Sequence, residues 1–360
     1  MILRLPKPID WPLYLAALAL QIFGIIVISS LGLAGRGQLI TNQIIFAAIG
    51  VVLAGLLTAL DYRTFKVIAN YLYFAVIGLL VLVLLLGTKV FGATRWIDLG
   101  IFQFQPSELA KPILVMTLSK LLTERTAEIK TAVIAILVTA VPFVLTVTQP
   151  DLGTALIMLL TALAMLALKG FPRRFALAGA VIILALLPIF FSGLRPYQRE
   201  RLVSFFNPAA DPLGSGYNTK QSLIAVGSGG LMGRGLGQGS QSQLQFLPVA
   251  HIDFIFAGVA EATGFLGSLL LIGLIAVLLL RIVNVARVAQ DEFGYYFAFG
   301  AAFLFFFSAS INIGVNLGLL PATGIPLPLV SYGGTQTITS LATIGILQSI
   351  YLRHKKIRFS

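Results

Sequence analysis

The sequence predicts an all-α polytopic membrane protein: about ten transmembrane helices in a single integral membrane domain spanning residues 1–360, with a long extracytoplasmic loop between the seventh and eighth helices. Three observations carry this. First, 58% of the 360 residues are hydrophobic and only 11% are charged, with a mean hydropathy of +0.96. Soluble domains carry roughly 25% charged residues, so this much apolar surface needs a bilayer. Second, apolar segments recur at about the 20-residue length of a membrane helix. Third, the basic residues between them are distributed unevenly.

The candidate spans are 11–33, 39–60, 65–87, 107–123, 131–149, 151–168, 175–194, 253–281, 294–317 and 331–352. The first follows a short basic start, Arg4 and Lys7, as a signal peptide would. It is too long for an h-region and nine spans follow, so it reads as a helix. With the N-terminus placed in the cytoplasm, sixteen of the 25 bases fall on inside segments, four on short outer ones and five in the loop 195–250. Long loops translocate regardless of charge, so the fair comparison is sixteen against four. Both termini are therefore expected to be cytoplasmic.

Composition also excludes classes. There is no cysteine, hence no disulfide and no thiolate metal site. Two histidines, His251 and His354, cannot build a histidine-rich zinc cage. The net charge of +12 is spread between apolar segments and forms no stripe for nucleic acid. No phosphate-cradle motif stands between a strand and a helix, so no nucleotide site is expected, and haem is not expected either.

On this map Asp61, Glu124, Glu128, Asp291 and Glu292 read as solvated inner-face charges, and Asp98, Glu108, Asp151, Glu200, Asp211 and Asp253 crowd the outer ends of helices. The most informative stretch is 240–264, where a glycine-rich polar loop meets a hydrophobic helix and Asp253 stands at the join. A carboxylate there is costly to desolvate and has a task or a partner. Glu261, about 12 Å deeper on the same helix, either bonds a neighbouring helix or acts on substrate. His251 reads as a capping residue or a proton carrier. The glycines of 227–239 either permit tight turns or let backbone approach a ligand.

A second outer cluster, G-A-T-R-W-I-D-L-G-I-F-Q-F-Q-P-S-E-L-A-K, precedes the fourth helix. Glu108 and Lys111, three apart, share a helix face. They are a mutually neutralising pair or the charged wall of a cavity. Trp96 beside Arg95 reads as an interfacial anchor. Secondary transporters usually place their polar site near the midplane, whereas here the polar groups sit at the outer face.

R-W-I-D-L-G (95–100), F-Q-P-S-E-L-A-K (104–111), Q-P-D-L-G-T-A (149–155), N-P-x-x-D-P-x-G-x-G-Y (207–217), F-L-P-x-x-H-x-D-F-I-F-A (246–257) and G-L-L-P-A-T-G-I-P-L-P-L-V-S-Y-G-G (318–334) occur in order between the expected helices. In these segments the chain resembles the RodA-type branch of the SEDS family (shape, elongation, division and sporulation proteins). It departs from the family pattern at Val249, Ile252 and Ala262, where Glu, Thr and a second Glu are common.

The resemblance implies an inverting glycosyltransferase of the bacterial cytoplasmic membrane. It would polymerise lipid II, the undecaprenyl-pyrophosphoryl disaccharide-pentapeptide, into peptidoglycan for elongation and rod shape. It implies a class B penicillin-binding protein as partner through the later helices, and other elongation-complex proteins. Such chemistry needs a carboxylate base, for which Asp253 is the candidate. It also needs cations or a divalent metal, Mg²⁺ or Mn²⁺, at the leaving pyrophosphate, and Asp253 is open to either role, base or the metal's protein ligand. Lys111, Arg95, Arg199, Arg201, Lys220 and Arg234 are the candidate cations. Glu108, Trp96 and Glu261 complete the candidate substrate contacts. A lipid II flippase and a non-catalytic scaffold for cell-wall synthases are the rival readings.

Overall fold

The computed structural model describes residues 9–32, 36–90, 93–98, 100, 103–171, 205, 215–247 and 249–354. Its elements are α1 (Trp11–Ser30), α2 (Arg36–Ala59), α3 (Tyr62–Leu86), strands β1 (Thr88–Val90), β2 (Ala93–Asp98) and β3 (Gln103–Phe104), α4 (Pro106–Glu124), α5 (Ile129–Thr148), α6 (Leu152–Leu168), α7 (Ser215–Ser228), α8 (Ser240–Gln243), α9 (Ile255–Val288), α10 (Glu292–Asn316) and α11 (Gly334–Leu352). Eight of the ten expected spans appear within three residues of their expected bounds, and a ninth, 253–281, runs on to Val288. The span 175–194, together with Arg199 and Arg201, lies outside the described residues.

Six of these helices, α1, α2, α3, α5, α9 and α10, are long and apolar enough to cross a membrane. The other spans explain themselves by position. α4 packs against α3, α5, α6, α10 and α11, and α11 runs along α2. Glu108, Lys111, Gln336, Thr339 and Thr343 on these two central helices are buried. A helix shielded from lipid by its neighbours can carry polar side chains that the outer helices cannot. α2 and α3 accordingly expose Ile45, Val52, Val67 and Leu85.

Three features depart from the expected all-helical spans and open loop. The three short strands pair into an antiparallel sheet in the order β1-β2-β3. The glycine-rich loop contains α7 and α8. And α9, at 34 residues, is broken at Gly264, whose φ of 68° and ψ of −162° suit glycine alone. The 34 residues would run about 51 Å as one helix, against a hydrocarbon core of about 30 Å. The break leaves 265–288, about 36 Å of helix, to make the crossing.

The loop repairs the break. The amides of Arg234 and Gly235 donate to the carbonyls of Glu261 and Ala262, at 2.8 and 3.1 Å. The amides of Phe265 and Leu266 donate to Gly230 and Leu231 oxygens at 2.9 and 3.1 Å. These four groups would have bonded one another in a continuous helix. A Cβ on Gly264 would collide with Leu231 and Gly233 backbone, so the contact requires glycine.

Candidate functional site

Asp253 lies in the turn 249–254 just before α9, partly buried. Its backbone is held by donors from two other segments. Asn312 and Asn316 of α10 donate their side-chain amides to the Asp253 carbonyl at 2.9 and 3.0 Å. Ser331 Oγ donates to the Ile252 carbonyl at 2.6 Å, and the Tyr332 amide to that of His251 at 2.8 Å. Three consecutive carbonyls, 251 to 253, are thus taken from outside the turn. His251 lies against Tyr332, ring centroids 5.7 Å apart and planes tilted by 59°, and burial pushes its imidazole below the ordinary range.

Glu261 is wholly buried, and its carboxylate accepts from the amides of Gln241 and Ser242 at 2.8 and 3.0 Å and from the Ser242 hydroxyl. It caps α8 and ties the loop to α9. Of the two readings of this residue, the structure supports the one in which it bonds its neighbours. A Cβ on Gly239 would strike this carboxylate, which accounts for glycine at that position.

Glu108 and Lys111 form an ion pair of 2.8 Å, 4% and 7% exposed. They line a small, half-open cavity together with Ser308, Gln336, Thr339, Ser340 and Thr343. The pair therefore neutralises itself, and it also lines a cavity. Asp253 does not line this cavity. It is held by Asn312 and Asn316, one and two turns further along α10 from Ser308, about 6 and 12 Å.

Arg95 is committed elsewhere. Its guanidinium donates to the carbonyls of Gln149, at 3.3 Å, and Pro150, and pairs with Asp151 at 3.8 Å. Asp151, 1% exposed, also accepts from Gln105 at 3.0 Å, from Ser107 at 3.3 Å and from the Thr154 amide at 3.3 Å. Arg95 thus docks β2 onto the turn between α5 and α6, with Trp96 partly buried beside it. Lys220 and Arg234 are exposed and form no ion pair with a described residue. Among the described residues no three acidic or imidazole side chains come together to hold a metal. A cation at Asp253 would draw most of its oxygens from a bound pyrophosphate.

Sequence reasoning passed over Asn312, Asn316, Ser331 and Asp10. The asparagines, four apart in an apolar helix, were a legible signal, since an amide in a membrane helix needs partners.

Fold and site together define a polytopic membrane protein whose polar machinery gathers at the end carrying the long loop. The chain belongs to the FtsW/RodA/SpoVE family, described as cell cycle proteins, whose model matches residues 11–356. It is 39% identical over 350 residues to the peptidoglycan glycosyltransferase MrdB of Escherichia coli K12, covering 96% of this chain and 94% of that one. It is 38% identical over 316 residues to the stage V sporulation protein E of Bacillus subtilis, covering 86% of each. Among solved structures it is similar to a chain of a peptidoglycan synthase complex reported to coordinate polymerization and crosslinking, with TM-score 0.84 and 34% identity over 95% of this chain and 97% of that one. It is also similar to the rod shape determining protein RodA of Thermus thermophilus, with TM-score 0.74 and 30% identity over 97% and 98%.

Proposed function

We propose that this chain is an inverting peptidoglycan glycosyltransferase that polymerises lipid II at the outer face of the bacterial cytoplasmic membrane, with both termini in the cytoplasm, and serves elongation and rod shape. One observation carries the reading. A partly buried carboxylate, Asp253, has its backbone fixed at a helix mouth in a chain whose relatives bear that activity in their names.

In this reading Asp253 takes the proton of the acceptor sugar's 4-hydroxyl, and the oxygen attacks the donor's anomeric carbon from the face opposite the pyrophosphate. The new glycosidic bond forms as the bond to the pyrophosphate breaks. A single displacement converts the α-linked donor to a β-linked product. Lys220 and Arg234, exposed cations of the loop that form no ion pair with a described residue, meet the charge that develops on the leaving group. A divalent cation held by Asp253 and the pyrophosphate would add Lewis-acid stabilisation there.

A class B penicillin-binding protein would crosslink the strands. Its anchor would pack on the long half of α9, which exposes Phe265, Leu266, Leu269 and Leu270. On α10, Phe293 and Phe297 are buried, whereas Phe306 is exposed and Tyr295, Phe299, Phe303 and Phe307 are partly so, which leaves that helix a second face for the anchor.

The test is purified protein in liposomes carrying lipid II on one side. Glycan polymer is the expected product. Translocated lipid II without polymer would make the chain a flippase, and neither product would make it a scaffold.

A further inference from the structure

We propose that Asn316, seconded by Asn312, is a positioning residue that sets the placement of the Asp253 carboxylate by occupying a hydrogen bond the helix would otherwise close. The inference rests on the reading of Asp253 as the catalytic carboxylate.

In a continuous helix the Ala257 amide would donate to the Asp253 carbonyl, four residues back. Here the Asn316 side chain stands between them. Its Nδ2 donates to the Asp253 oxygen at 3.0 Å, and its Oδ1 accepts from the Ala257 amide at 2.9 Å. The second Nδ2 hydrogen goes to the Asn312 carbonyl at 2.8 Å, so donors and acceptor are all used and the amide has one satisfied orientation. Asn312 adds its own Nδ2 to the Asp253 carbonyl and ties it to Ile325 at 2.7 Å. Both asparagines are almost wholly buried. The first bond of the regular helix therefore runs from Gly258 to Phe254, at 3.2 Å, and Phe254 keeps a non-helical φ of −110° and ψ of 28°.

The amide is a spacer that stops α9 from winding one turn further. Without it the Ala257 amide and the Asp253 carbonyl satisfy each other directly. Asp253 then joins the helix and its side chain swings about the helix axis. The fold survives, because the lost bonds are replaced within the helix, but the carboxylate leaves its place. A misplacement of about 1 Å at a reacting group can cost about a hundredfold in rate.

The test measures initial polymerisation rates of the purified full-length protein against lipid II concentration, with a thermal melt on the same sample. Asn316→Ala is expected to lower kcat by about tenfold or more, with KM within about threefold and the melting temperature within a few degrees. Asn312→Ala, which leaves one amide on the Asp253 carbonyl, should show the same split with a smaller loss. Wild-type kcat in a folded Asn316→Ala protein would overturn the inference. So would a failure of both variants to fold, because the amides would then hold the fold rather than the carboxylate. A well-folded Asp253→Asn protein that still polymerises is a separate result: it removes the catalytic reading on which this one stands.

Discussion

At the end of the bundle that carries the chain termini, acids face bases. Asp10 pairs with Arg281 at 2.7 Å, Glu292 with Lys169 and Asp61 with Arg353 at 3.4 Å, Asp291 with Arg63 at 3.8 Å, and Glu124 with Lys66 at 3.9 Å. At the end that carries the loop, Glu108 pairs with Lys111 and Asp151 with Arg95, but Glu261 is held by two amides and a hydroxyl, and Asp253's backbone by two asparagines. Lys220 and Arg234 remain there without an acidic partner among the described residues. The terminal end pairs most of its acids but keeps an excess of bases: Lys120, Arg125, Lys130 and Arg287 form no ion pair with a described residue. The loop end adds to its ion pairs a set of neutral donors, which hold the Glu261 carboxylate and the Asp253 backbone. The sequence reading had the terminal acids as merely solvated. They are largely exposed, but most are paired, and only Asp10 is deeply buried.

The contrast is broken most directly at Asp253. Asp253→Asn retains the shape and removes the base, so lipid II polymerisation should fall by about 10²–10⁴ while the melting temperature is nearly unchanged. Equal activity in a folded Asn variant would reduce the loop end to scaffolding. Glu108→Ala comes next. It leaves the Lys111 ammonium buried without its partner, for which about 3–5 kcal/mol of stability is expected to be lost, read as a denaturant or thermal shift. Exchanging the two residues should restore much of it, and an unshifted single variant would show that water in the cavity already solvates the pair.

Glu261→Gln replaces an acceptor of three bonds by an amide that can present only one oxygen. A loss of about 1–3 kcal/mol is expected, concentrated in the loop, so limited proteolysis near 236–246 should accelerate before the helices unfold. If global melting and loop cleavage move together, the loop is no separate unit.

His251 gives a pH dependence. Burial lowers its pKa in the folded chain. Above about 6.5 the ring is neutral folded or unfolded and contributes no slope. Below that the unfolded chain binds a proton that the folded one refuses, so stability falls as pH falls, by up to about 1.4 kcal/mol per pH unit. His251→Gln should flatten the melting temperature between pH 6.5 and 5 relative to wild type, and an unchanged slope would assign it to the carboxylates. The smallest effect is expected at the terminal end. Glu124→Gln breaks an exposed pair and should cost no more than about 1 kcal/mol, shrinking with salt. A larger loss would mean that these pairs hold the bundle together.

The sequence by itself determined the membrane class, the helix bounds, the pairing of Glu108 with Lys111 and the position of Asp253 at a helix mouth. Those features rest on local signals: apolar runs of membrane length, a three-residue spacing, and a charge beside an apolar run. Only the tertiary structure decided where each polar group finds its partner. Asn312 and Asn316 lie 59 and 63 residues from the carbonyl they hold, and Arg95 lies 54 to 56 from the turn it clamps. Gly264 reads in sequence as a tolerated glycine within one helix. It becomes a break only because the segment 230–235 supplies the four hydrogen bonds that make the break affordable in a membrane. Hydrophobicity is written residue by residue and survives in a string of letters. Hydrogen-bond satisfaction is a property of pairs, and in this chain the pairs that set the site are closed by folding across helices.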